Sequence, residues 1–180
     1  MADQELSFEL RLIEPGDRVT GLSVGDETLL PLKIFLRKHA KSYQSRSLAR
    51  TYAFVDKKDG RTVVAYISLV CGEVVLDRGS IEGEEALDYR HPNYPTVKIA
   101  RLAVDRDLRK SGLKLGKRLV DLAVAIAKEI VSEHVGCRFV VVDSKKAAVK
   151  FYEKMGFTLL DTEENRARAE PLLFVDLMKL

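Results

Sequence analysis

The sequence predicts a mixed α/β or α+β fold, a sheet with helices packed on it, and three observations predict it. An apolar run of strand length, residues 97–104, passes through a short charged turn into a long helical pattern. Two β-rich stretches, 51–55 and 61–75, flank Lys57-Lys58-Asp59-Gly60, where Asp-Gly suits a turn that needs positive φ and so signals a hairpin. After residue 137 the pattern alternates strand, helix, strand. The full order reads β, α, ββ, loop, β, α, β, α, β, β, which is the order of a mixed sheet carrying helices.

The chain is organised around VKIARLAVDRDLRKSGLKLGKRLVDLAVAIAKEI, residues 97–130. Val97 to Val104 reads as a buried strand, and Asp105 to Ser111 as a turn crowded with charge. A helix is expected from Gly112. Leu115, Leu119, Leu122, Ala123, Ile126 and Ile130 recur at spacings of three and four, which puts one apolar face on it. A strand, a basic turn with glycine and a helix start make an anion-binding arrangement, because the first helical amides lack internal partners and carry partial positive charge. Gly112 and Gly116 leave room for a ligand to approach backbone, and Arg109, Lys110, Lys114 and Lys117 add the matching charge. The same residues also suit an ordinary βα unit with a solvated basic face.

The other elements follow in order. Leu6 to Ile13 alternates, with Leu6, Phe8, Leu10 and Leu12 on one face, and reads as a half-buried first strand ended by Pro15-Gly16-Asp17. Leu29 to Lys41 reads as a helix capped by Asp26 or Thr28, with Pro31 tolerated in its first turn and Leu32, Phe35 and Leu36 on its apolar face. Arg37, Lys38, His39 and Lys41 crowd its C-terminal end, and Arg46 and Arg50 follow. Helix-end electrostatics account for this cluster, and so does a surface that meets phosphates. Asp77 to Pro95 lacks periodicity and reads as a long loop or flap. Cys137 to Asp143 reads as a buried strand. Lys145 to Met155 reads as a short helix with Ala147, Ala148, Phe151 and Met155 toward the core and Gly156 as its terminating glycine. Phe157 to Leu160 starts a strand, Asp161 to Glu170 is a charged turn, and Leu172 to Leu177 is the last strand.

A chain of 180 residues is long enough to bury a sizeable core, and one domain over 1–180 is expected. The composition, 46% hydrophobic and 32% charged, fits a globular protein. A net charge of +3 permits an anionic partner without demanding one. Cys71 and Cys137 lie far apart with no metal-ligand spacing, and read as reduced core thiols of a cytoplasmic protein. The start, MADQELSFEL, has no basic n-region, and no segment reaches the length of a membrane span.

IARLAVDRDLRKSGLKLGKRLVDLA resembles the acetyl-CoA-binding motif of the GNAT-type N-acetyltransferases, and VVVDSKKAAVKFYEKMGF resembles the same superfamily's last strand–helix signature. With the element order, the resemblance covers nearly the whole chain. It implies a central mixed twisted sheet of six to seven strands flanked by about four helices. GDETLLPLKIFLRKHA, ARTYAFVD and YPTVKIARLAVD are similar to the acetyltransferase toxins of bacterial toxin–antitoxin pairs, whose members acetylate the α-amine of an aminoacyl-tRNA. This implies acetyl-CoA as cofactor, an amine acceptor led by aminoacyl-tRNA, an antitoxin partner and a homodimer. Two alternatives stay open: a small-molecule or protein N-acetyltransferase, and a non-catalytic protein of this fold that binds acyl-CoA or a partner.

Residue by residue, the resemblance implies that main-chain groups of Leu102, Ala103 and Val104 pair with the pantetheine arm. It also implies that Arg109 to Gly116 hold the pyrophosphate: Arg109, Lys110, Ser111, Gly112, Leu113, Lys114, Leu115 and Gly116. The chain departs from the superfamily pattern twice. Ser111 stands where Gln or Arg is usual, and Lys114 replaces the middle glycine. Lys114 either adds a phosphate contact or crowds the loop through its Cβ, and Arg109 or Lys110 is available to replace the missing charge. Tyr152 stands where the superfamily often has a tyrosine that protonates the departing thiolate, a proton transfer suited to a phenol. No general base is evident: His39, His91 and His134 qualify by chemistry alone. Arg37, Lys38, Lys41, Arg46 and Arg50 are the acceptor-binding candidates. Arg101 joins them, either reaching an acceptor's phosphate or carboxylate or lying on the sheet surface paired with an acid.

Overall fold

Strand residues distribute through one hydrogen-bonded mixed sheet. The computed structural model describes residues 7–76 and 93–180; Leu6, the expected loop up to residue 92 and His91 within it lie outside the described residues. The strands are β1 (Phe8–Leu12), β2 (Arg50–Asp56), β3 (Val63–Val75), β4 (Asn93–Val104), β5 (Phe139–Asp143), β6 (Thr158–Leu159) and β7 (Leu172–Asp176). They form a seven-stranded sheet in the order β1-β2-β3-β4-β5-β7-β6. The β1–β2, β2–β3, β5–β7 and β6–β7 pairs are antiparallel and β4–β5 is parallel, the mixed sheet expected. Chain contacts divide the protein into two compact units, Met1–Leu69 with Arg101–Val120, and Val70–Ala100 with Asp121–Leu180.

In the first unit the expected hairpin is present, and Gly60 in its turn has φ of +64°. The single helix expected over 29–41 is two: α1 (Leu30–Lys38) and α2 (Ala40–Ser45), separated at His39. Asp26, one of the two expected caps, caps instead the 3₁₀ turn Glu27–Leu29 ahead of α1, accepting from the Thr28 amide at 2.7 Å, and α1 itself has no side-chain cap among the described residues. Phe35, Leu36 and Ala40 pack with Ala53, Val55, Val63, Tyr66 and Ala103 in one buried cluster. On β1 the alternation is only partly realised, since Leu12 is exposed while Arg11 is half-buried. The cause is the Arg11–Asp17 pair, two hydrogen bonds of 2.9 and 2.7 Å that draw the arginine inward.

The second unit is built on β5, whose residues Phe139 to Val142 are all buried, the run of a strand covered on both faces. Phe139 and Val141 cluster with Val74, Leu76 and Phe174. β4 begins at Asn93, four residues before the expected Val97, so Pro95 lies within it. Asp161 to Glu170 is more than a turn: α6 (Glu163–Ala167) forms there, with Thr162 accepting from the Asn165 amide at 3.1 Å. Cys137 is buried as expected, but Cys71 is exposed and is not a core thiol, because its position on β3 faces outward.

The long helix α3 (Leu115–Ala125) starts in the first unit and continues in the second, where a π-helical turn (Ile126–Val131) and α4 (Ser132–His134) complete it. Leu115, Leu119, Ala123 and Ala127 are buried. Ile130, expected on this face, is 56% exposed. A π turn holds more than four residues, so it delays the apolar stripe by one position; Val131 is half-buried in place of Ile130. At the helix end the His134 imidazole lies 2.7 Å from the Ile130 carbonyl. No helix among the described residues is long and apolar enough to cross a membrane.

Candidate active site

The parallel β4–β5 ladder runs from Thr96↔Phe139 to Ile99↔Val142. β4 continues five residues beyond the last of these pairs, to Val104. That extension carries Leu102 and Val104, half-buried, and Ala103, which belongs to the core of the first unit. Its end is fixed by the Asp105 amide, which donates to the Val64 carbonyl at 2.8 Å.

The turn after β4 is laced to the segment before α1. Asp105 accepts from the Ser23 amide at 2.8 Å and from the Asp107 amide at 3.0 Å, while the Arg106 amide donates to the Ser23 carbonyl at 2.8 Å. Arg109 donates from Nε to the Val104 carbonyl at 3.1 Å and from Nη2 to the Val24 carbonyl at 2.9 Å. Gly25 is required beside this lacing: its φ is +69°, and a Cβ there would stand 2.5 Å from Arg106 Cδ. Asp105 and the Ser23–Gly25 segment were not singled out from the sequence. The Gly25-Asp26 pair ahead of a helix was their one visible signal.

Beyond this point the chain stays out of the helix longer than expected. Ser111 Oγ donates to the Leu108 carbonyl at 2.7 Å and accepts from the Leu113 amide at 3.4 Å, so the residue replacing the usual Gln or Arg holds the turn together. Gly112 has φ of +78° and Lys114 +52°. Two left-handed residues cannot belong to a right-handed helix, which is why α3 begins at Leu115 rather than at Gly112. The Lys114 carbonyl accepts the Arg118 amide at 3.1 Å and so opens the helix, leaving earlier amides without intrahelical partners. Space is not the cost of Lys114. It adopts the conformation natural to glycine and keeps its side chain exposed. Lys110 is exposed too, and neither ammonium has a hydrogen bond or ion pair among the described residues. Nothing lies within 4 Å of a Cβ built on Gly112. Amides at a helix start, open space beside left-handed backbone and two ammoniums without partners among the described residues suit a diphosphate, so the residues present fit acetyl-CoA's pyrophosphate.

Tyr152 lies on α5 (Val149–Glu153) and is 5% exposed. Its ring packs edge-on against Phe151 and Phe157, with centroids 5.0 and 5.5 Å apart. Its hydroxyl has no hydrogen-bond partner among the described residues. Burial holds the phenol well above the ordinary tyrosine range, so it keeps its proton. On the same stretch Ala147, expected in the core, is exposed, because the chain makes a 3₁₀ turn at Lys146–Ala148 before α5 and rotates it outward.

The expected acceptor-binding cations divide. Arg37, Lys38 and Arg46 are exposed with no partner among the described residues. The Lys41 ammonium is committed elsewhere, donating to the Pro15 and Asp17 carbonyls at 2.7 Å each. Arg50 gives one N–H to the Gln44 carbonyl at 3.0 Å. Among the described residues Arg101 is not paired with an acid; its guanidinium carbon lies 4.0 Å from the Phe35 ring centroid. Tyr66, in the same cluster, has its phenol pushed up by burial, with the charge of Arg101 pulling the other way. A groove of about 250 Å³ opens between Ser23–Glu27 and the first turns of α1 at Leu30 and Lys33.

The family model described as Acetyltransferase (GNAT) family matches residues 27–157. No curated protein matches the sequence. Among solved structures, a tyrosine-to-phenylalanine mutant of KacT superposes with a TM-score of 0.80 at 24% identity, covering 97% of each chain. AtaT complexed with acetyl-methionyl-tRNAfMet superposes with a TM-score of 0.78 at 22% identity, covering 96% of each chain. A mutant of the toxin AtaT bound to the C-terminus of the antitoxin AtaR gives 0.73 at 22%, covering 96% of this chain and 95% of that one. At these identities the likeness speaks for the fold, and the family match extends it from the segment before α1 to the residue after Gly156. The chain belongs to the acetyltransferase (GNAT) family and is an N-acetyltransferase of the acetyl-CoA-dependent kind.

Proposed function

We propose that the protein, acting as one domain over residues 1–180, acetylates the α-amine of an aminoacyl-tRNA. The observation that carries this reading is the set of cations on the first unit without partners among the described residues: Arg37, Lys38 and Arg46, with Arg101 on its aromatic shelf. An acceptor held by such residues is polyanionic, and its binding weakens steeply with salt. Structural neighbours support the reading, since AtaT has been solved with acetyl-methionyl-tRNAfMet. The same neighbours support an antitoxin partner, as AtaT has been solved with the antitoxin AtaR. A cytoplasmic homodimer completes the proposal on the resemblance to toxin–antitoxin acetyltransferases.

In this reading the first amides of α3, with Lys110 and Lys114, hold the diphosphate. The main chain of Leu102 to Val104 aligns the pantetheine arm. Arg109 serves the site by holding the turn, with two of its five N–H groups given to the Val104 and Val24 carbonyls. Bound acetyl-CoA supplies the thioester carbonyl. Tyr152 keeps a proton on Oη for the departing thiolate. No side-chain base is assigned: the α-amine of an aminoacyl ester has a low pKa and loses its proton to water readily. A non-catalytic role has less support, because a pure binding module has no use for a protonated, unbonded Tyr152 hydroxyl.

The test is calorimetry with acetyl-CoA followed by transfer assays on aminoacyl-tRNA and on small amines. Micromolar binding, about −8 kcal/mol, and salt-sensitive turnover of aminoacyl-tRNA are expected. Equal turnover of small amines at all salt concentrations would replace the nucleic-acid acceptor with a small one.

A further inference from the structure

Three arginines among the described residues are half-buried: Arg11, Arg101 and Arg138. Two of them meet a buried carboxylate. Arg11 is matched to Asp17 at 2.9 and 2.7 Å, and Arg138 to Asp176 through two bonds of 2.9 Å. Arg101 has no such partner. Its guanidinium carbon sits 4.0 Å from the Phe35 centroid, and among the described residues its five N–H donors have neither a hydrogen bond nor an ion pair. A half-desolvated guanidinium stacked by one face on a ring is fixed in direction, with its N–H edge left for a planar or tetrahedral oxyanion.

The neighbours of that ring show the same asymmetry. Tyr66, with its ring centroid 6.3 Å from that of Phe35, donates its hydroxyl to the Leu32 carbonyl at 2.6 Å and is satisfied. Tyr43, edge-on at 5.5 Å, and His39, tilted at 6.3 Å, have side-chain polar groups without partners among the described residues. Around the one Phe35 ring, then, Tyr66 is satisfied, while a cation, a phenol and an imidazole keep polar groups without partners among the described residues. Phosphate oxygens match the first, and the exposed ring of His39 offers a surface on which a base stacks.

We propose that Arg101, stacked on Phe35, is the receptor for a backbone phosphate of a nucleotide-chain acceptor, with Tyr43 and His39 beside it contacting the same strand. The proposal rests on the nucleic-acid acceptor of the preceding section and names the residue that grips it. The fork geometry is essential to it, so lysine does not substitute.

The probe is an uncharged RNA hairpin with a single-stranded 3′ tail, titrated by fluorescence anisotropy at several salt concentrations against wild type, Arg101→Lys and Arg101→Met. Acetyl-CoA affinity, read in parallel by calorimetry, reports that each variant is folded. Arg101→Met is expected to weaken RNA binding about tenfold and to lower the salt slope by about one. Arg101→Lys keeps most of the slope and loses most of the affinity. Wild-type RNA affinity in both variants overturns the proposal, as does an Arg101→Met effect of the same size on the KM of a phosphate-free amine. RNA binding that depends on Arg101 in an enzyme that fails to acetylate aminoacyl-tRNA would refute the acceptor and leave this subsite standing. Turnover of aminoacyl-tRNA with KM unchanged in Arg101→Lys would refute the subsite alone.

Discussion

Arg109 Nη2 donates to the Val24 carbonyl at 2.9 Å, joining two points 85 residues apart in the sequence. With its second bond, to the Val104 carbonyl at 3.1 Å, the guanidinium holds the turn after β4 against the segment before α1. The side chain thus acts on the proposed diphosphate loop through the turn it holds. Arg109→Met is expected to cost about 1–2 kcal/mol of stability, the worth of charge-assisted bonds at a partly exposed site. It should also weaken acetyl-CoA binding. Denaturant unfolding and calorimetry on the same variant check both, and a loss of affinity at full stability would mean the guanidinium touches phosphate instead.

Lys114 holds φ of +52°, a conformation that costs a non-glycine residue about 1–2 kcal/mol. Lys114→Gly removes that cost but adds chain entropy to the unfolded state, about 0.5–1 kcal/mol. The net expectation is a gain of up to about 1 kcal/mol. Acetyl-CoA binding should fall a few-fold and lose part of its salt dependence, because an unpaired ammonium leaves the loop. Lys114→Ala should lose the same affinity with no gain in stability. Tighter binding by Lys114→Gly would show that the lysine hinders the site.

Tyr152 is buried among Phe151 and Phe157, and its hydroxyl is unbonded among the described residues. Tyr152→Phe therefore keeps the ring packing and removes only the hydroxyl, with the proton it carries. Turnover is expected to fall about 10²–10⁴-fold, the usual contribution of a positioned acid, with the melting temperature nearly unchanged. Because burial holds the phenol above the ordinary tyrosine range, wild-type activity should show no alkaline loss from this group at pH 10. A turnover unaffected by the substitution would remove Tyr152 from the chemistry.

The sheet, the hairpin and the α5–Gly156 ending were legible because they depend on local patterns: alternation, Asp-Gly, and a terminating glycine. Three features were not, and each has a non-local or energetic cause. The start of α3 moved from Gly112 to Leu115 because a lysine occupies a left-handed position that propensity assigns to glycine. The apolar stripe lost Ile130 to a π turn that no heptad-like spacing announces. Lys41 looked like a surface cation, yet it caps the Pro15 and Asp17 carbonyls some 25 residues away, a contact set by how the loop after β1 folds back. At the site, charge type was readable but the partner of each charge was not, which is why Arg101 and Arg109 separate only in three dimensions.

Asp17 has its carboxylate held by Arg11 and by the Glu14 amide at 2.7 Å. Burial works to raise its pKa, but the Arg11 hydrogen bond, the Glu14 amide and the charges of Arg11 and Lys41 outweigh it, and the folded pKa lies below the ordinary value. A depressed folded pKa means stability that is present above the unfolded pKa, about 4, and lost as pH falls through the folded one. Asp17→Asn should destabilise the protein by about 1–3 kcal/mol at pH 7, since it leaves a half-buried guanidinium poorly paired. The difference between variant and wild type should shrink steadily below pH 4 as the wild-type carboxylate takes up its proton. Denaturant unfolding at pH 7 and pH 3 measures it. A gap of equal size at both values would show that shape and hydrogen bonding, and not the charge of Asp17, hold this loop to β1.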